Sequence, residues 1–138
     1  RTNLVLIQNA QLVDSQFFTI GFGSFVNTIN LKQIRKELGL GSWAVRIAYN
    51  EIFGGVLIQQ QPGEGNRLHY HENDDECWVI LAGEWEWFIA GQGTQRVSEH
   101  DIVVVKKGIK HRISCVGDSP GMRLAITKPD VDHIYTGD

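Results

Sequence analysis

From Trp43 to Thr127 the chain alternates apolar and polar residues with a period of two, through the runs WAVRIAYNEIF, GGVLIQQQ, RLHYH, ECWVILAG, EWEWFIA, TQRVS, DIVVVKK, HRISCV and MRLAIT. The runs are rich in β-branched and aromatic residues, which fit a pleated, half-buried surface. Between them lie Gly54-Gly55, Pro62-Gly63, Gly91-Gln92-Gly93, Gly108 and Ser119-Pro120-Gly121, the residue types that tight turns require. About eight short strands at such regular spacing predict an all-β fold, an antiparallel sandwich or closed barrel.

The first 42 residues read differently. Asn3 to Ile7 predicts a short strand, and Phe17 to Val26 an irregular segment or edge strand. In NLKQIRKEL, Leu31, Ile34 and Leu38 fall at helical spacing behind an Asn30 cap, with Gly39 closing the run, so one short amphipathic helix is expected against the outside of the sheets. No repeat, linker or low-complexity tract interrupts the chain. The expectation is one domain over residues 1–138, with its β core at about 43–127 and only the final YTGD loose.

Thirteen Lys and Arg against sixteen Asp and Glu leave a net charge of −3, with no block of like charge, so nucleic acid is not an expected partner. The longest apolar run, Cys77 to Ala82, is far short of the roughly 18 residues that span a bilayer, and the expected location is the cytoplasm. Cys77 and Cys115 sit in apolar runs without framework spacing and read as free thiols.

In a strand, Arg67, His69 and His71 share one face while Leu68 and Tyr70 take the other. The two imidazoles then stand about 6.6 Å apart at their Cα atoms, a gap they can close around one cation. Glu76 opens the next strand after a polar turn, and His111 opens a later one after Gly108. Three nitrogens and a carboxylate from separate strands are a ligand set for a divalent metal.

These spacings resemble the cupin superfamily. Its first motif is matched throughout by Gly63, five residues, His69-Tyr70-His71, four residues, Glu76, six residues and Gly83. Its second is matched at Gly108 and His111, while His100, Lys106 and Cys115 replace the family's Gly, Pro and Asn. The resemblance implies a small β-barrel of the double-stranded β-helix, or jelly-roll, type, with His69, His71, Glu76 and His111 holding one divalent ion. Fe(II), Mn(II), Ni(II), Zn(II) and Co(II) all suit that set. Asp75 competes with Glu76 as the acid, although the six residues to Gly83 favour Glu76. The implied activity is that of a metal-dependent enzyme on a small polar, anionic metabolite, with an oxygenase first. A sugar-phosphate or sugar-nucleotide isomerase, epimerase or lyase comes next, and a non-catalytic ligand-binding module third. A homodimer is expected by the same analogy.

Around this set, Arg67 shares the histidines' parity and either fixes a substrate anion or pairs at the rim with Glu64 or Glu72. Gln59, Gln61, Trp78 and Cys115 are further candidates for substrate contact. Trp85 and Trp87 read as core. Lys106, Lys107 and Lys110 read as a solvated corner, His100 as turn chemistry and His133 as tail. No inward His or Glu identifies a catalytic base, and Tyr70, Glu51 and His100 stay open for that role.

Overall fold

The computed structural model describes Leu6–Gln8 and Gln16–Ile20 as backbone and residues 28–137 in full. Two sheets carry the fold. The larger has the order β1 (Leu6–Gln8), β2 (Gln16–Ile20), β3 (Trp43–Tyr49), β4 (Gly54–Gln60), β11 (Gly121–Thr127), β6 (Glu76–Ala82) and β9 (Ile102–Val105). The smaller has the order β12 (Ile134–Tyr135), β5 (Gly65–Tyr70), β10 (His111–Val116), β7 (Glu84–Ile89) and β8 (Gly93–Ser98). Residues 43–127 thus hold nine strands, β3 to β11, one for each of the nine runs quoted above, against the expected count of about eight.

Pairing is antiparallel except between β2 and β3. That parallel pair needs a crossover, which α1 (Leu31–Leu38) supplies. Its cap is the expected one: the Asn30 side chain accepts from Gln33 N at 3.1 Å, and Gly39, at φ 79°, donates its N–H back to Arg35 O. Ile34 is fully buried on the outer face of the large sheet, against Trp43, Val45, Leu57 and Met122. The main core lies between the sheets, where Trp78, Ile80, Trp85, Trp87, Ile113 and Cys115 pack together, the three indoles in edge-on and tilted contact.

Gly83 shows why the motif closes on glycine. It is the single residue between β6 and β7, has φ 75°, and a Cβ there would sit 2.6 Å from Gly121 Cα.

The structure departs from the sequence reading at both ends. Of the predicted Asn3 to Ile7 strand, Leu6–Gln8 is a strand and 3–5 lie outside the described residues. In the Phe17 to Val26 segment the strand is Gln16–Ile20, and 21–26 lie outside. The C-terminus is not loose up to Tyr135: Ile134 and Tyr135 pair with Tyr70 and His69, and Thr136 N donates to Leu68 O at 3.2 Å. A two-residue strand has no period to read, so only its partner reveals it.

Candidate metal centre

β5 delivers His69 and, one step past its end, His71; β6 begins at Glu76, and β10 at His111 directly across from His69. The turns that connect these strands are stitched together. Gly108 N donates to His71 O at 2.6 Å, and the Asp75 carboxylate accepts from Lys106 Nζ and Lys107 N, both at 2.9 Å. Asp75 is therefore a turn clamp on the surface, and Glu76 is the acid that turns inward.

The nitrogen and oxygen ligand atoms of His69, His71, Glu76 and His111 all lie within 4.8 Å of one another, and all four residues are buried. Each imidazole is fixed through Nδ1: His69 donates to Arg67 O at 2.6 Å, His71 to Asp132 O at 2.8 Å and His111 to Ile109 O at 2.9 Å. With Nδ1 carrying the proton, Nε2 of His69 and of His111 is left as a lone pair facing the cluster, whereas His71 Nε2 holds a proton toward Glu76 until an ion displaces it. The Nε2 atoms of His69 and His111 are buried without a hydrogen-bond partner. Buried polar atoms are rarely left so, and a cation bound by them is the group that resolves it. His71 Nε2 lies 2.6 Å from Glu76 Oε2, and His111 Nε2 lies 3.8 Å from the same oxygen. The donor set fits a divalent transition metal in kind, in number and in the tethering of its imidazoles.

The electrostatics agree. Burial, only partly opposed by the Arg67 carbonyl, pulls His69 down to about 4, so it stands as a neutral ligand. Burial alone would raise Glu76, but His111 and His71 outweigh it and bring the carboxyl to about 2. His71 is lowered by burial and raised by Glu76 and the Asp132 carbonyl, with the net shift upward.

Glu76 opens into a cavity of about 300 Å³, whose wall includes Asn66, Trp78, Arg46, Tyr49 and His133. Trp78 lines this cavity, its ring 5.4 Å from that of His111. His133, which the sequence assigned to the tail, lies at the site, its ring centroid 4.9 Å from that of His69 and 4.7 Å from that of His71. His133 keeps an exposed side, and partial desolvation together with the charge of His71 lowers its pKa. It sits just before β12, whose pairing with β5 is a long-range contact with no local signature.

Other candidates stand elsewhere. The β5–β10 register runs from His111↔His69 to Ile113↔Asn66, so β5 holds one extra residue, a bulge, between Asn66 and His69. The bulge breaks the parity that aimed Arg67 inward. Arg67 is exposed, its guanidinium over the Tyr135 ring at 4.6 Å, and Asn66 takes the cavity wall instead. Gln59 does share the face of Leu57, but that face is the outer one beneath α1. It accepts from Arg35 Nε at 2.7 Å and donates to Gly39 O and Gly41 O. Gln61 donates to Leu40 O. Both glutamines tie the helix segment to the sheet rather than enter the cavity. Cys115 is fully buried, its thiol 3.5 Å from Gln60 O, and four residues along β10 place it about 13 Å from His111. It is core filler away from the cluster. Trp85 and Trp87 are core. The sequence reading missed Arg123, a fully buried guanidinium among neutral amides and the Trp85 ring.

Solved structures share this fold. An uncharacterized conserved protein with a double-stranded β-helix domain from Klebsiella pneumoniae superposes with a TM-score of 0.69 at 14% identity, over 86% of this chain and 100% of that one. A sugar phosphate isomerase of the cupin superfamily from Silicibacter pomeroyi gives 0.61 at 21% identity, over 69% of this chain and 65% of its own. The DMSP lyase DddQ from Ruegeria pomeroyi gives 0.57 at 24% identity, over 64% of this chain and 47% of its own. No curated protein matches the chain. The family model described as "Cupin domain" matches residues 56–127, from the strand before the first motif to the end of β11. Since that match spans more than half of the chain and contains all four ligand residues, the chain belongs to the cupin family.

Proposed function

We propose that this cupin is a metal-dependent enzyme that moves protons on a small polar metabolite, in the manner of an isomerase or lyase. One observation carries the reading: three imidazoles tethered through Nδ1 and one carboxylate converge beside a cavity of about 300 Å³, with a further imidazole, His133, against them. When bound, a divalent ion supplies Lewis-acid polarisation of a substrate oxygen and so acidifies the neighbouring C–H or O–H. His69, His71, Glu76 and His111 hold it. Trp78 and Ile58 wall the reacting atoms from water, and His133 takes up the released proton and returns it at another atom.

Two of the similar structures bear the names isomerase and lyase, the same class of chemistry. His133 is what favours this class over the oxygenase that the family resemblance put first, because it provides the base that the sequence reading lacked.

Protein loaded separately with Fe(II), Mn(II), Ni(II), Zn(II) or Co(II) is screened against small hydroxy acids, oxo acids and sugar phosphates in D2O. NMR follows turnover and deuterium incorporation, and an electrode follows oxygen. The expected result is exchange or conversion without oxygen uptake. His133→Ala is expected to reduce it by roughly 10²- to 10⁴-fold at unchanged metal content. Oxygen uptake coupled to substrate loss would establish the oxygenase instead, and tight binding without any conversion a ligand-binding module.

A further inference from the structure

The bulge in β5 has a chemical consequence at Asn66. That residue lines the cavity that Glu76 opens into, and its Oδ1 accepts from Arg123 Nη2 at 3.3 Å. A guanidinium has donors only, so the amide must turn its oxygen to Arg123, and the group left for the cavity is the Nδ2 amine with its two N–H donors. Arg123 holds Gln60 in the same way, through its Oε1.

Arg123 is itself unusual. It is fully buried, stacks on Trp85 at 4.5 Å and leaves Nε without a partner. Among the described residues no carboxylate lies within ion-pairing distance of it. Burial lowers its pKa only to about 10, so it remains charged at neutral pH. A buried cation without a paired carboxylate is costly; the Glu76 charge, beyond ion-pairing distance, offsets that cost only in part, and a cation that stands behind a donor on a cavity wall biases that part of the wall toward an anion.

We propose that Asn66 is a specificity-determining residue, donating from its amide nitrogen to a carboxylate of the substrate while Arg123 behind it fixes the amide's orientation and supplies positive potential. The inference rests on the proposed metal-dependent activity for the word substrate, but not for the binding itself. A carboxylate fits better than a phosphate. One Nδ2–H reaches a single carboxylate oxygen and Arg46 and Lys128 on the same cavity wall add positive charge, whereas phosphates are ordinarily held by several donors converging on more oxygens.

The test uses the full chain, both Zn(II)-loaded and metal-free, titrated with acetate and with inorganic phosphate. In wild-type protein the side-chain amide cross-peak of Asn66 is expected to shift on addition of acetate. Calorimetry is expected to show acetate binding weakened roughly tenfold or more in Asn66→Ala. Asn66→Asp, which presents a carboxylate and neutralises Arg123, is expected to abolish it. Metal content in both variants is expected to equal that of wild type. The proposal is overturned if the Asn66 cross-peak stays fixed, if the variants bind acetate as wild type does, or if phosphate binds more tightly than acetate. The cross-peak arm stands even where a variant fails to fold. Failure to take up Zn(II) would count against the metal-dependent function and leave the acetate result on metal-free protein to decide the role of Asn66.

Discussion

Each ligand histidine commits its Nδ1–H to a backbone carbonyl, so the orientation of the site belongs to the main chain. Protonation then has a calculable effect on stability. His69 is held at about 4 against 6.5 when unfolded, so between those values the unfolded chain binds a proton that the folded one does not, and stability falls as pH drops through that window. Glu76, held at about 2 against 4.5, adds a loss as pH falls below 4.5. His71 acts oppositely: its raised pKa stabilises the metal-free fold below about 6.5 and the gain fades as pH rises through the folded value. Melting curves of metal-free protein should therefore show the transition temperature declining from pH 6.5 to 4. Metal-loaded protein should decline more steeply, because protons compete with the ion for Nε2. A flat profile in both would contradict this account of the buried groups. The ligand set was readable at this scale because parity along strands and the position of Glu76 at a strand start are local properties. The inward parity of Arg67 fails because nothing in GNRLHYH marks the extra residue that rotates it outward.

Among the elements, the β5–β10 pair bears the site and is built to close tolerance. A Cβ on Gly65 would lie 1.9 Å from Ile113 O, a backbone atom that cannot move without parting the strands. Gly65→Ala is expected to cost stability well above the ordinary point-mutant range of about 1 kcal/mol and to lower metal retention, as followed by urea unfolding and metal analysis. The helix offers the contrasting case. Ile34→Ala removes a fully buried side chain from the cluster on the outer sheet face and should destabilise by about 2–5 kcal/mol, yet leave metal stoichiometry unchanged, since that cluster does not touch the site. The helix itself was legible from Asn30, Gly39 and the apolar spacing. The placement of Gln59 was not: both faces of the large sheet are covered, one by the second sheet and one by α1, so alternation shows which residues share a face without showing which face is the interior.

Across the whole molecule, the segment after β11 returns over the histidine–glutamate cluster, bringing the Asp132 carbonyl to His71, His133 to the imidazoles and Tyr135 under Arg67. A chain ended after Asp132 loses β12 and His133 while keeping all four ligands. It is expected to bind metal with normal stoichiometry, to lose turnover, and to melt within a few degrees of wild type, because two strand residues contribute little to the core. Loss of metal from this shortened chain would mean that β12 is part of the site's support. The barrel as a whole could be anticipated from strand count and turn residues, which act locally. The closure of its mouth could not, since it joins residues more than sixty positions apart whose pairing leaves no trace in either segment alone.

His69, His71, Glu76 and His111 are expected to hold one ion. Elemental analysis of freshly purified wild-type protein beside His69→Ala and His111→Ala tests it most directly. The wild type is expected to carry about one divalent transition metal per chain and each variant a small fraction of that, at unchanged secondary structure. A wild-type protein without metal after incubation with all five candidate ions, or variants that retain a full complement, would contradict it.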